Sequence, residues 1–227
     1  MSPQIILVVG ASRGIGRELV KQLSVHPNKH IIASVRQPAM QPVDSPASNV
    51  SSIILDQANP ESVIAAASQI PELDTLVING AFAERDQLLT CPSEKFDTYL
   101  DVNVKGPLQV VRAFLPALLA RQTRQIVLTS SSCGSMQEQS EYDHGSLGPY
   151  SVAKAAGNMM MIQLHHELRD QSFTCAAFHP GWVATDMGGP GGMPVEESVA
   201  GYVKALEGLR PDDSPKFVAW NGSTVPW

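Results

Sequence analysis

Short apolar segments alternate with longer helical stretches along the whole chain, and this alternation limits the fold more than any other feature. The segments predicted as strands cover residues 5–9, 30–35, 52–55, 75–78, 125–129, 173–178 and 216–219, and the predicted helices cover residues 14–25, 60–69, about 93–121, 149–170 and 195–208. Nearly continuous apolar strands separated by helices indicate a parallel sheet with both faces covered. The sequence therefore predicts an α/β fold: one domain over residues 1–227, with a Rossmann-type, doubly wound parallel sheet of about seven strands flanked by helices.

Composition and charge exclude several classes of protein. The 227 residues carry a formal net charge of −6, so no basic excess favours nucleic acid or an anionic membrane as a partner. No apolar segment approaches the ~18 residues needed to span a bilayer, and the first residues lack the basic region of a signal peptide. Three widely spaced cysteines without a CxxC pair suggest neither a metal site nor a disulfide framework. We expect a cytoplasmic protein without a metal.

A glycine-rich turn follows the first predicted strand. Residues 10–16, GASRGIG, have the spacing GxxxGxG directly before a predicted helix. Glycine lets the backbone turn tightly and come close to a pyrophosphate, and the start of a helix offers free N–H groups and a positive dipole end. The position between strand and helix strengthens a motif that is weak by itself. It predicts a dinucleotide site built on Gly10, Gly14 and Gly16.

The end of the second predicted strand distinguishes between the two nicotinamide dinucleotides. An acidic residue there would bind the ribose hydroxyls of NAD, but this chain has Arg36, and Arg13 lies in the glycine-rich turn. Guanidinium groups bind phosphate in a bidentate manner and therefore suit the 2′-phosphate of NADP. We expect NADP(H) rather than NAD(H). The alternative is that Arg36 is a solvated loop charge.

A tyrosine and a lysine are spaced for proton transfer at the start of a predicted helix. Tyr150 and Lys154 are four residues apart and share one helix face. A cationic amine beside a phenol favours the phenolate and lowers the tyrosine pKa, so the phenol can pass a proton near neutral pH. Serines 130–132 follow a strand end, where a hydroxyl can bind a substrate oxygen. The alternatives are an exposed helical pair and serines that cap the turn locally.

Together these motifs resemble the classical short-chain dehydrogenase/reductase family from end to end. The matching segments are GASRGIG at 10–16, Asn79, Asn103 in DVNVKG, SSSCG at 130–134, YSVAK at 150–154 and PGWVATDMGG at 180–189. The last segment and Trp227 resemble the sniffer and C-factor-like carbonyl reductases in particular. The set is much more specific than any of its motifs alone.

The resemblance implies a role for each matching residue. Tyr150 would be the general acid/base, Lys154 would lower its pKa and hold the nicotinamide ribose, Ser131 would orient the carbonyl oxygen, and Asn103 would hold a water in the proton relay. The implied cofactor-binding residues are Gly10, Ser12, Arg13, Gly14, Ile15, Gly16, Arg36, Asp56 at the adenine, Asn79, Gly80, Tyr150, Lys154, and Pro180, Gly181, Val183 and Thr185 around the nicotinamide.

Pro107 adds an observation in favour of Asn103. It lies four residues further along a predicted helix, and because proline has no N–H it cannot bond the Asn103 carbonyl. A free carbonyl inside a helix is what a relay water needs, so we expect a water between this carbonyl and the Lys154 amine. The alternative is a proline kink without functional consequence.

The chain departs from the family pattern in two places. The usual Asn-Asn-Ala-Gly is Ile-Asn-Gly-Ala at 78–81, so the glycine lies one place earlier. Ser131 and Tyr150 are also further apart than usual. The additional stretch at 136–145 contains Glu138, Glu141 and Asp143, and we expect it to lie over the active-site mouth, either as a substrate-shaping loop or as a neutral surface insertion.

The resulting hypothesis is NADPH-dependent reduction of a ketone or aldehyde to an alcohol, or the reverse reaction. The segment 188–194 and the following helix would form a substrate lid near 187–208, with glycines that permit hinge movement. The alternatives are a non-redox enzyme of the same fold (epimerase, dehydratase or cyclase) and a non-enzymatic NADP-sensing regulator. The expected partner is a small carbonyl or alcohol compound. A homo-oligomer (dimer or tetramer) and a monomer both stay open.

Overall fold

The computed structural model describes residues 2–37, 47–142 and 147–227, and within these ranges the chain forms seven strands and seven α-helices. The strands are β1 (Gln4–Val9), β2 (Lys29–Val35), β3 (Val50–Ile54), β4 (Thr75–Ile78), β5 (Gln125–Thr129), β6 (Thr174–His179) and β7 (Lys216–Ala219). The helices are α1 (Gly14–Leu23), α2 (Pro60–Ala67), α3 (Ser93–Leu100), α4 (Gly106–Leu119), α5 (Met136–Glu141), α6 (Gly148–Leu168) and α7 (Val195–Gly208). A π-helical turn, Asp101–Lys105, joins α3 to α4.

The strands form one parallel sheet in the order β3-β2-β1-β4-β5-β6-β7. The chain moves outward from β1 to β3 and then returns to β4 on the other side of β1. A crevice therefore opens between the loops that follow β1 and β4, at the carboxyl ends of the strands, where ligands bind in doubly wound sheets. The predicted fold class and the strand number are confirmed.

Helices cover both faces of the sheet because its strands are apolar on both sides. On one face, α2, α4 and α6 pack through residues such as Val63, Phe114 and Met161. On the other face, α1 and α7 pack through residues such as Leu19 and Tyr202. The two cores hold the strand ends rigidly, and this rigidity positions the loops that contain the predicted site.

A polar network lies at the amino ends of β1, β4 and β5, at the opposite end of the sheet from the predicted site. Asp74, 4% exposed, accepts hydrogen bonds from the Ile5 amide, the Thr123 hydroxyl and the Arg121 guanidinium. Arg121 also donates to the Pro3 carbonyl. The network ties β1 and the loop before β5 to the residue that precedes β4, because the Asp74 carboxylate accepts bonds from that strand and that loop.

Three elements differ from the sequence-based prediction. The helix expected from about 93 to 121 is divided by the π-helical turn, because Pro107 lacks the N–H that an α-helix needs at that point. Residues 136–141, expected within a loop, form α5, with the Ser135 hydroxyl capping its first turn. β3 begins at Val50, two residues before the strand predicted at 52–55, and ends at Ile54.

Candidate active site

A cavity of about 1090 Å³ lies at the carboxyl ends of the strands. Of the predicted site residues, those that line it are Gly10, Ser12, Arg13, Gly14, Ile15, Arg36, Asp56, Asn79, Gly80, Ser131, Tyr150, Lys154, Pro180, Gly181, Val183 and Thr185. Gly16 and Asn103 are buried and do not line it. The structure therefore brings together residues from seven separate stretches of the sequence, and the two others support this lining from behind.

The glycine-rich turn leaves the first N–H groups of α1 available to an anion. Arg13 occupies the N-cap position in an extended conformation without a side-chain capping bond, and the first turn of α1 has no acidic residue. A Cβ atom on Gly16 would lie 2.1 Å from the Gly10 carbonyl oxygen, so only glycine fits there. The turn is also held by Ser34, whose hydroxyl accepts a bond from the Gly10 amide at 2.9 Å, and Ser34 was not predicted from the sequence.

Gln57 explains why the glycine after β4 lies one place earlier than in the family pattern. Its amide nitrogen donates to the carbonyls of Gly80 and Val102 at 2.9 and 2.7 Å. A Cβ atom at position 80 would lie 2.4 Å from the Gln57 side-chain oxygen, so a glycine there gives this buried side chain its room. Asn79 still contacts the turn, because its side chain donates to the Gly10 carbonyl at 3.0 Å. Sequence reasoning missed Gln57, although the displaced glycine was a signal of a close neighbour.

Two arginines and two acidic residues line the cavity near the glycine-rich turn. Arg36 is exposed just beyond β2 and lines the cavity. Arg13 pairs with Asp186 across the crevice at 3.0 Å, with 68% and 75% of the two side chains exposed. An ion pair this exposed contributes at most about 1 kcal/mol, so a bound phosphate can compete for Arg13. Asp56 uses one carboxylate oxygen to accept from the Ala58 amide.

Tyr150, Ser131 and Lys154 meet on the other side of the cavity. Tyr150 and Lys154 lie one turn apart on α6, with the lysine Nζ 5.5 Å from the centroid of the tyrosine ring. The Tyr150 hydroxyl is hydrogen-bonded to the Ser131 side chain. Lys154 is 2% exposed and donates to the Thr129 carbonyl at 2.7 Å. Two hydroxyls and a buried amine therefore surround one small region of the cavity.

Burial shifts the pKa of both ionisable groups in this set. It raises the pKa of Tyr150 above its ordinary value, the nearby Cys133 thiol adds to this rise, and the Ser131 hydrogen bond opposes it. Burial also lowers the pKa of Lys154 to about 8. Desolvation is the largest effect on the phenol here, and the lysine amine bonds to the Thr129 carbonyl. The role of Lys154 in lowering the tyrosine pKa stays a prediction.

Asn103 supports the site from the π-helical turn. Its side-chain nitrogen donates to the carbonyls of Phe82 and Tyr99, each at 2.9 Å, and its oxygen accepts from the Phe82 amide at 3.1 Å. The side chain therefore fixes the loop that follows β4. The main-chain carbonyl of Asn103 faces α6, 3.6 Å from the position that a Cβ on Gly157 would occupy. The relay water at this carbonyl stays a prediction.

A charged network orders the loop that continues from Phe82 along the cavity. Tyr99 donates to the Asp86 carboxylate at 2.7 Å, and Lys95 pairs with Glu84 and Asp86 at 2.7 and 2.8 Å. The hydrogen bond from Lys95 lowers the pKa of Asp86, and burial raises the pKa of Tyr99 to about 12. Asp86 also forms a β-bridge with Leu147, three residues before Tyr150. The loop is thus fixed next to the start of α6.

The described part of the inserted stretch does not lie over the cavity. Residues 135–142 line no part of it. Instead, the Gln137 amide donates to the Trp227 carbonyl at 3.3 Å, and the Ser151 hydroxyl donates to the Gln139 side chain at 3.4 Å. The expectation of a loop over the mouth is therefore wrong for α5, which packs against α6 and the last residue. Residues 143–146, with Asp143, lie outside the described ranges.

The glycine-rich segment after β6 is closely packed. Met193 and Trp182 are joined by a bond from the Met193 amide to the Trp182 carbonyl at 2.8 Å, and the Ala184 amide returns a bond to the Met193 carbonyl at 2.9 Å. The Trp182 indole is 62% exposed, lines the cavity and donates to the Gly188 carbonyl at 2.8 Å. The glycines here allow contact between neighbouring backbones, and the hinge movement stays a prediction.

No group of three or more His, Cys, Asp or Glu side chains within the described ranges is arranged to bind a metal ion. Among the same residues, no helix is both long enough and apolar enough to span a membrane.

The fold and the cavity define an α/β protein with a dinucleotide turn beside a Ser-Tyr-Lys set. The family model described as short chain dehydrogenase matches residues 4–192, and the chain belongs to the short-chain dehydrogenase/reductase family. It is an oxidoreductase of this family.

Individual relatives agree with this assignment. An uncharacterised oxidoreductase of Schizosaccharomyces pombe is 30% identical over 99% of this chain and 98% of its own length. The NADPH-bound carbonyl reductase from chicken fatty liver is 29% identical, with a TM-score of 0.92 over 100% of this chain and 95% of that one. The carbonyl reductase Sniffer of Drosophila melanogaster is 25% identical, with a TM-score of 0.90 over both full chains. The resemblance inferred from the motifs is confirmed.

Proposed function

We propose that this protein is an NADPH-dependent carbonyl reductase, which converts a ketone or aldehyde to an alcohol or catalyses the reverse reaction. The observation that supports this most directly is the hydrogen bond between Tyr150 and Ser131 beside Lys154, in the same cavity as the glycine-rich turn. The chicken carbonyl reductase with bound NADPH has the same fold over the whole chain.

The residues that line the cavity fit a nicotinamide dinucleotide with a 2′-phosphate. The uncapped start of α1 suits the pyrophosphate, and Arg36 with Arg13 suits the 2′-phosphate. Asp56, Asn79 and Gly80 also line the cavity and would hold the adenosine end, and Pro180, Gly181, Val183 and Thr185 would hold the nicotinamide end. When bound, NADPH supplies the hydride that reduces the carbonyl carbon. NAD(H) fits less well, since an exposed arginine stands where an acidic residue would bind its ribose.

The side chains of this protein bind the carbonyl oxygen and supply the proton. Ser131 and Tyr150 both point a hydroxyl at the same region, so both can hydrogen-bond one substrate oxygen. Tyr150 then transfers its proton to that oxygen as it becomes an alkoxide. Lys154 places a positive charge near the phenol and stabilises the phenolate that remains. Asn103 keeps the loop after β4 in place and offers its carbonyl to the proton relay.

The opening of the cavity sets the substrate range. Trp182, Met187 and Val195 line it on one side and Leu147 on the other, so we infer that the segment near 187–208 forms the substrate-binding part of a single domain. Trp182 and Met187 are exposed, which favours small-molecule substrates with an apolar group beside the carbonyl. A cytoplasmic location remains our expectation, and both an oligomer and a monomer are compatible with this proposal.

The test is the oxidation of NADPH and of NADH by the purified protein with a panel of ketones and aldehydes. We expect turnover with NADPH, and we expect Tyr150→Phe to lower kcat by at least about a hundredfold while NADPH binding is retained. Tyr142→Phe is the matched control, because Tyr142 is 63% exposed and outside the cavity. Substrate conversion without net NADPH consumption would indicate an epimerase, dehydratase or cyclase. NADPH binding without any turnover would indicate the regulator.

A further inference from the structure

The hydrogen-bond ladder between β5 and β6 ends just where the catalytic serine begins. The Ser130 amide donates to the Phe178 carbonyl at 2.7 Å. In a parallel ladder the next donor lies two residues further along each strand, so the Ser132 amide would reach the Pro180 carbonyl. That carbonyl instead accepts a bond from the buried Ser198 hydroxyl of α7 at 2.6 Å. The ladder therefore loses its next acceptor at this position.

The side chain of His179 replaces the missing carbonyl. The Ser132 amide donates to His179 Nδ1 at 3.1 Å. The histidine backbone is itself fixed, since its carbonyl accepts from the Trp220 amide at 2.9 Å and it is in register with Ala219 of β7. A ring nitrogen that accepts a hydrogen bond has no proton, so the neutral ring carries its proton on Nε2.

We propose that His179 is a positioning residue for Ser131. The bond to the Ser132 amide fixes the plane of the peptide that joins residues 131 and 132, and this plane sets the direction of the Ser131 side chain toward Tyr150. At the other end of the turn, Asn158 accepts from the Ser130 hydroxyl at 2.5 Å and donates to the Gly134 carbonyl at 3.0 Å. His179 and Asn158 thus hold the serine turn from two sides.

This inference rests on the proposed function where turnover is the readout. We expect His179→Leu, which has no acceptor, to lower kcat by at least about tenfold, because a small displacement of a catalytic hydroxyl is costly. In His179→Asn the side-chain oxygen takes the place of Nδ1, and we expect kcat within about threefold of wild type, a difference of less than about 0.7 kcal/mol. His179→Gln carries its acceptor one carbon further out and should behave like the leucine variant. Equal loss in all three variants, or full activity in the leucine variant, overturns the proposal.

The donor offers an independent test. Ser132→Pro removes the amide hydrogen, and the extended conformation of Ser131 (φ −158°, ψ 152°) is one that a residue before proline adopts readily. Ser132→Ala is the reference for loss of the side chain alone. We expect Ser132→Pro to lower kcat relative to Ser132→Ala as much as His179→Leu does relative to wild type. The double variant with Ser132→Pro and His179→Leu should be no slower than either change alone. Additive losses would contradict a shared bond.

A spectroscopic measurement separates this inference from the proposed function. In ¹⁵N-labelled wild-type protein, long-range ¹H–¹⁵N spectra report which ring nitrogen of His179 carries the proton. We expect protonated Nε2 and hydrogen-bonded Nδ1 at neutral pH, with the Nδ1 signal shifted in Ser132→Pro and unchanged in Ser132→Ala. A proton on Nδ1 in the wild type refutes the inference even if the enzyme reduces carbonyls. Protonated Nε2 with the expected shift supports the bond even if no carbonyl is reduced.

Discussion

Gly188→Ala is the change that best tests how the segment after β6 is built. A Cβ atom at position 188 would lie 2.0 Å from the Val183 carbonyl oxygen, whereas ordinary contacts begin at 3.4 Å. The difference, 3.4 minus 2.0, requires the two backbones to separate by about 1.4 Å. The Gly188 amide donates to the Thr185 hydroxyl and its carbonyl accepts from the Trp182 indole, so this movement breaks both bonds.

The expected cost follows from these contacts. Overpacking costs roughly 1–3 kcal/mol and each of the two lost hydrogen bonds about 1 kcal/mol, so we expect Gly188→Ala to lower the free energy of unfolding by about 4 kcal/mol. At roughly 2–4 °C per kcal/mol for a chain of this size, Tm should fall by about 12 °C. Two other glycines provide matched controls. Gly189 has φ +74° but no atom within 4 Å of an added Cβ, and Gly208 has neither constraint.

Thermal unfolding followed by circular dichroism, together with the KM of a carbonyl substrate, is the assay. We expect Gly189→Ala to cost only about 1 kcal/mol from its backbone conformation, and Gly208→Ala, at the end of α7, to be neutral or slightly stabilising. If Gly188→Ala has the same Tm as the wild type and changes only KM, the glycine is a hinge and the packing argument is wrong. The same conclusion follows if Gly189→Ala is as destabilising as Gly188→Ala.

Three further predictions concern the cofactor end, the buried lysine and the far end of the sheet. Arg36→Ala should weaken NADPH binding by roughly tenfold to a hundredfold and leave NADH binding unchanged, because it removes a charge-assisted bond to phosphate. Fluorescence titration measures both affinities, and an equal loss for the two nucleotides contradicts this. Burial lowers the pKa of Lys154 from 10.5 to about 8, so between these pH values the unfolded chain binds more protons than the folded protein. The free energy of unfolding of the wild type should therefore rise by up to about 3 kcal/mol from pH 8 to pH 10.5, relative to that of Lys154→Met. An equal change in both proteins, measured by denaturant unfolding at the two pH values, would count against this. Asp74→Ala should cost roughly 3 kcal/mol in urea unfolding, because it leaves buried donors without an acceptor, while kcat per active molecule stays at the wild-type value.

Much of the fold and the lining of the cavity could be predicted from the sequence because their signals are local. The strands at 75–78 and 125–129 have the predicted bounds, since a continuous apolar run between polar turns leaves little choice. The residues predicted for the cavity follow strand ends, and parallel strands bring those ends to one edge. Of the predicted site residues, only Gly16 and Asn103 lie behind the lining of the cavity.

The remaining features depend on contacts between distant residues. Ser34, Gln57 and His179 support the site through bonds to backbone groups 15 or more positions away, and no local pattern indicates such pairs. The directions of the pKa shifts could not be predicted either, because burial has the largest effect on the pKa of Tyr150 and of Lys154, and the four-residue spacing does not reveal burial. For the same reason the sequence predicts a loop where α5 forms, since α5 is held by hydrogen bonds to the distant Ser151 and Trp227.

The distance between the Asp74 network and the cavity has a practical consequence for measuring activity. None of the residues in that network lines the cavity, although together they join β1 to the segments before β4 and β5. Substitutions in this network should reduce the number of folded molecules in a preparation without changing kcat per folded molecule. Rates quoted per milligram would then mistake poor yield for poor catalysis, so each variant needs its folded fraction measured before its rate is compared.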